Sequence, residues 1–122
     1  MILLVEDEAN VRTVLAEVLR PLASAVLEAE NGQKALALLN AHPVRLIVVD
    51  FVLPDVDGLS LINRLRKERP QIPIILISGY LSQSAGEDML AKTGARLKYL
   101  AKPFKPAELT ATAQDLLNAS SS

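Results

Sequence analysis

Five side chains able to hold a cation or move charge stand at or just behind short apolar runs. Glu6 and Asp7 follow ILLV (2–5), Asp50 closes RLIVVD (45–50), Ser78 closes IPIILIS (72–78) and Lys102 follows LKYLA (97–101). If those runs lie side by side, three carboxylates share one crevice. Their repulsion in a low-dielectric site pushes at least one pKa up and calls for a positive charge to offset it. Lys102 supplies one, which leaves about two negative charges by formal counting, the complement of a hard divalent cation held by oxygen. Magnesium suits such a set, because it takes octahedral oxygen coordination, keeps several waters and uses one or two carboxylates plus a phosphate oxygen; calcium asks for more ligands. A carboxylate beside a divalent metal, an ammonium and a hydroxyl is equipped to receive a phosphoryl group, a transfer that needs positioning and charge neutralisation above all. Asp50 is then the nucleophile, Lys102 and the metal balance charge on the transferred oxygens, and the Ser78 hydroxyl donates a hydrogen bond to one of them.

The elements that must position these residues can be read from the same runs. ILLV, RLIVVD and IPIILIS do not alternate with polar residues, so they read as strands buried on both faces of a parallel sheet. AVLEA (25–29) and LKYLA (97–101) are more mixed and suit less covered positions. Between the runs lie helical periods. Val11, Val14, Leu15, Val18 and Leu19 form one face of a helix that ends near Pro21, where the next backbone hydrogen bond has no donor. Asn31-Gly32 imitates a hairpin turn, but the QKALALLNA behind it favours a helix start. Leu59, Ile62 and Leu65 make the stripe of a third helix, with Asp57 placed as its N-cap. Leu109, Ala113, Leu116 and Leu117 mark a last helix starting near Pro106. Residues 83–92, with Ser84 and Gly86 and few large apolar residues, predict the loosest helix. Strand–helix alternation over the chain predicts a doubly wound α/β domain of five βα units, flavodoxin-like, with sheet order 2-1-3-4-5 and its site at the carboxyl ends of strands one and three.

Whole-chain properties narrow the classes. With 122 residues, half of them hydrophobic, the chain fits one domain, read as 1–118 followed by a Ser-rich tail at 119–122. A net charge of −1 with scattered basic residues gives no electrostatic footprint for nucleic acid and no polybasic patch for anionic lipid. Without cysteine there is no disulfide framework, thiolate zinc site or thiol nucleophile. The apolar runs are too short to span a bilayer, and ILLV directly after Met1 lacks the basic region and cleavage site of a secretory signal, so cytoplasm is the expected compartment. His42, in a loop before Pro43, reads as a solvated loop residue.

LVEDE (4–8), VVDFVLPDVDG (48–58), LISGY (76–80) and YLAKPF (99–104) together resemble, in order and spacing, the four signature segments of response-regulator receiver domains of the CheY-like type. The resemblance spans essentially the whole chain. It implies that Glu6 and Asp7 are the acidic metal-site pair, Asp50 the phosphoacceptor, and Val52 the residue giving a backbone carbonyl to Mg2+. It assigns Ser78 and Tyr99 as the switch hydroxyl and aromatic, Lys102 as the phosphate-contacting lysine, and a cis peptide at Lys102–Pro103. Glu6 stands where aspartate is frequent and so would reach the metal through water; Val52 and Tyr80 occupy the two positions that tune phosphoryl loss, where a bulky pair would hinder the attacking water.

By this resemblance the chain is a signalling switch rather than an enzyme, charged by a histidine kinase or histidine phosphotransfer protein and read by a downstream protein or output domain. A homodimer is one open outcome, and the SGY segment resembles receivers attached to hybrid histidine kinases. Phosphorylation would place about two negative charges beside Ser78 and Lys102, drawing the loop after strand four inward. The helix at 83–92, strand five and the last helix would then form the output face. Two other readings stand beside this one. A haloacid-dehalogenase-like phosphohydrolase carries a second aspartate two residues after its nucleophile, where this chain has Val52; a degenerate receiver used only for binding would not need the intact site set.

Overall fold

The computed structural model describes residues 1–50, 55, 58–78 and 97–120. The expected helix over 83–92, the Asp57 cap, the Leu59 side chain, Val52 and Tyr80 lie outside the described residues. The described elements are β1 (Ile2–Val5), α1 (Ala9–Leu19), a 3-10 turn (Arg20–Leu22), β2 (Val26–Ala29), α2 (Gly32–Ala41), β3 (Leu46–Asp50), α3 (Gly58–Glu68), β4 (Ile74–Ser78), β5 (Leu97–Ala101) and a last helix, α4 (Pro106–Ser120).

All five strands are parallel, in the order β2-β1-β3-β4-β5. The order and class agree with the sequence reading. The three purely apolar runs are the central strands, and the two mixed ones are the edges. Side-chain alternation explains why the central strands carry no polar residue before their carboxyl ends: successive residues point to opposite faces and both faces are covered. Leu3, Val5, Ile47, Val49, Ile74 and Leu76 pack with Ala35 and Leu39 of α2 and Leu61, Ile62 and Leu65 of α3. Ile2, Leu4, Leu46, Val48, Ile75 and Ile77 pack with Leu15, Ala16 and Leu19 of α1 and Leu109, Ala113 and Leu116 of α4.

One expected core residue is misplaced. Val14 is 57% exposed, while Ala16 is fully buried. Each helical residue turns by about 100°, and the face that meets the sheet is centred on Leu15, Ala16 and Leu19, which carries Val14 round to the solvent side. The apolar stripe alone did not reveal that a small alanine would face the strands. Pro21 lies in the 3-10 turn that closes α1, as its missing donor requires.

Helix α2 is tied at both ends by residues far away in sequence. The Gly32 and Gln33 amides donate to the Asp55 carboxylate (2.9 and 3.1 Å), and the Lys34 amide donates to Asn31 Oδ1 (2.8 Å). With the Ala35 amide on the Asn31 carbonyl, each of the first four helical donors has an acceptor. At the other end Arg69 donates to the carbonyls of Leu39, His42 and Val44.

Candidate functional site

Register brings the chemistry together. Val5 pairs with Val49, so Glu6 leaves β1 beside Asp50, the last residue of β3. Asp50 pairs with Ile77, and Ser78 with Ala101, so Ser78 and Lys102 complete the same edge. The five residues picked from the sequence therefore meet at the carboxyl ends of four adjacent strands, on the switch point between β1 and β3.

One oxygen from each of Glu6, Asp7 and Asp50 lies within 4.8 Å of the others. Glu6 is 2% exposed and Asp50 9%, whereas Asp7 is open to solvent. The Lys102 ammonium reaches Asp50 Oδ2 at 3.2 Å, with 37% of its side chain exposed. Solvent screens so open a pair, so its weight lies in local charge balance more than in stability. Burial raises the Glu6 carboxyl from 4.5 to about 8, its hydrogen bond to Asp50 and the Asp50 charge push the same way, and Lys102 partly opposes them. The predicted upward push among three carboxylates thus falls on a buried one, with burial as its largest cause.

The donor set fits a hard divalent cation. Ligand oxygens around a magnesium ion, at about 2.0–2.1 Å from it, stand up to about 4.2 Å apart. Oxygens that all lie within 4.8 Å of one another are close to that span. Three carboxylates against one ammonium leave formal negative charge in excess for a cation to offset.

Ser78 is buried at the end of β4. Its carbonyl accepts from the Lys102 amide (2.9 Å) and from the Tyr99 hydroxyl (3.3 Å). The half-buried Tyr99 ring packs on the core formed with α2 and α3. The Lys102–Pro103 peptide is cis, as the resemblance implies. Of two residues that the sequence reading left out of the site, Arg12 donates from its guanidinium to the Glu6 carbonyl (2.9 Å) at the site itself, and Asp55 caps α2. Neither has a local sequence signal, since their partners are fixed only by the fold.

An acidic trio beside a lysine at the switch point of a 2-1-3-4-5 parallel sheet is the arrangement expected of a receiver domain, and comparison agrees on the family. The profile of the response regulator receiver domain matches residues 2–114, and the chain belongs to that family. It is 39% identical over 120 residues to the probable transcriptional regulator ycf27 of Cyanidium caldarium, a match covering 95% of this chain and 45% of that protein. It is 35% identical over 118 residues to sensor kinase CckA of Brucella abortus, covering 95% of this chain and 12% of that one. Among solved structures, the CheY-like response regulator receiver domain protein of Methanospirillum hungatei superposes with a TM-score of 0.87 at 26% identity, over 98% of this chain and 94% of that one. The chain spans less than half the length of these two curated relatives. Among the described residues, no helix is long and apolar enough to cross a membrane.

Proposed function

We propose that this receiver domain takes a phosphoryl group from a phosphohistidine onto Asp50 in a Mg2+-dependent step and passes the change in charge to a partner. The observation that carries this reading is the buried Asp50 carboxylate, 3.2 Å from the Lys102 ammonium and clustered with Glu6 and Asp7. An Asp50 oxygen attacks phosphorus, an O–P bond forms as the N–P bond of the donor breaks, and the imidazole nitrogen keeps the electron pair and takes up a proton. Asp7 and Asp50, Glu6 directly or through water, and by the family resemblance the Val52 carbonyl, would hold Mg2+, which would supply positive charge to the transferred oxygens. Lys102 leaves its present pairing to contact a phosphoryl oxygen, and the Ser78 hydroxyl donates to another.

The new charge has a route outward. Tyr99 and Lys102 both bond to the Ser78 carbonyl, so a shift of Ser78 towards the phosphoryl group disturbs β5 directly. The output face in this reading is the segment 83–92 with β5 and α4. The donor is a histidine kinase or a histidine phosphotransfer protein, and the reader is a downstream protein or an output domain, in the cytoplasm. The receiver unit extends over 1–118 with 119–122 as a tail, although α4 continues through Ser120 across that boundary; the family match over 2–114 supports the core of that range. A bulky Val52 and Tyr80 pair would slow attack of water on the acyl phosphate.

The test is intact mass after incubation with acetyl phosphate, with and without Mg2+, on the native chain and on Asp50→Ala. A Mg2+-dependent gain of one phosphoryl group, absent in Asp50→Ala, is expected. A native chain that gains nothing would reduce it to a binding module, and donor turnover without an adduct would indicate a hydrolase.

A further inference from the structure

We infer that Arg12 is a positioning residue for the acidic pocket, holding the Glu6–Asp7 peptide so that both carboxylates present their oxygens to one divalent cation. The inference rests on the proposed Mg2+-dependent reading of the same site and adds to it a residue outside the ligand set.

The loop between β1 and α1 is three residues long, Glu6, Asp7 and Glu8, and carries two of the three clustered carboxylates. Its first peptide is anchored by the sheet, because the Glu6 amide donates to the Ala29 carbonyl (3.0 Å) and extends the β1–β2 ladder. The next carbonyl, that of Glu6, has left the ladder and accepts from Arg12 Nη1 at 2.9 Å. Arg12 also donates its own amide to the Glu8 carbonyl at 2.8 Å, the first hydrogen bond of α1. One residue therefore grips the carbonyls on either side of Asp7. Fixing the plane of the Glu6–Asp7 peptide fixes one backbone torsion of each residue, and with them the directions in which the two side chains leave the chain.

The guanidinium is itself held. Its Nε lies 3.4 Å from Glu28 Oε1 on β2, and the Arg12 side chain is only 19% exposed. Glu28 pairs with Leu4, two residues before Glu6, so the guanidinium spans from the edge strand to the loop. That fork suits arginine: a planar group can serve Glu28 with one nitrogen and the Glu6 carbonyl with another, whereas a lysine ammonium, a point donor on a flexible stem, serves one of them well. Residues that orient metal ligands without touching the metal typically change affinity by about 10–100-fold when removed.

The experiment measures Mg2+ binding by calorimetric titration and, separately, the Mg2+ concentration giving half-maximal labelling by acetyl phosphate. It uses the native chain, Arg12→Ala, Arg12→Lys, Glu28→Gln and, as a charge control away from the site, Arg20→Ala. Arg12→Ala should weaken Mg2+ binding about 10-fold or more, with labelling restored at saturating Mg2+. Arg12→Lys and Glu28→Gln should fall between it and the native chain, and Arg20→Ala should match the native chain. Equal Mg2+ affinity in Arg12→Ala and Arg20→Ala overturns the inference. So does a labelling defect that saturating Mg2+ does not repair. If Arg12→Ala does not fold, native affinity in both Arg12→Lys and Glu28→Gln overturns it equally. A native chain that binds Mg2+ but takes no phosphoryl group defeats the phosphoacceptor reading and leaves the role of Arg12 to be decided by the binding titration.

Discussion

Glu6 is the residue at which the site's electrostatics become a solution property. Burial, then its hydrogen bond to Asp50 and the Asp50 charge, raise its pKa from 4.5 to about 8. A carboxyl whose folded-state pKa lies above its unfolded value favours folding in its protonated form. Its contribution is therefore fully present below about 4.5 and is lost as the pH rises through about 8. In chelator, the urea midpoint of the native chain should fall across that window, and Glu6→Gln, which cannot ionise, should flatten the fall. Adding Mg2+ at the alkaline end should restore stability, since a cation binds the deprotonated carboxylates. Parallel profiles for the native chain and Glu6→Gln would remove Glu6 as the cause.

Among the elements, α2 shows how local and remote signals share one helix end. Asn31 closes the loop before it and caps Lys34, a role its sequence position already suggests. Asp55, from the loop behind β3, accepts from the two preceding amides, and the Gly32 amide is the leading cause of its lowered pKa. Asn31→Ala should cost about 1 kcal/mol in urea denaturation. Asp55→Ala should also destabilise the chain, and more so near neutral pH than in acid. The sign follows from the lowered pKa: this contribution is present above the ordinary aspartate value of 3.8 and is lost as pH falls through the folded one. An Asp55→Ala chain with native stability at neutral pH would show that the helix end is capped well enough without it.

For the whole molecule, two apolar layers on one sheet carry the stability. Leu4 is buried in the layer formed with α1 and α4, so Leu4→Ala should cost about 2–5 kcal/mol, a large share of the about 5–15 kcal/mol that keeps a domain folded. Val14 belongs to the same helix pattern in sequence but stands in solvent, and Val14→Ala should stay within about 0.5 kcal/mol. Urea denaturation of the two variants compares them directly; a Val14→Ala loss as large as that of Leu4→Ala would mean that this helix face is covered in solution.

The sequence by itself determined the strands, their order and the residues at their carboxyl ends. Apolar runs without alternation can satisfy both faces only inside a parallel sheet, and a doubly wound sheet gathers its strand ends at the switch point. That is why Glu6, Asp7, Asp50, Ser78 and Lys102 are legible in the sequence and are found together at the carboxyl ends of the strands. Only the tertiary structure decided that the Glu6 carboxyl is pushed up, because that depends first on how deeply it is buried. It also decided that Val14 faces solvent, that Asp55 caps a helix 23 residues before it, and that Arg12 grips the loop bearing two acidic ligands. Periodicity is a local property of the chain, whereas desolvation, remote capping and the choice of packing face are set by neighbours that folding brings together.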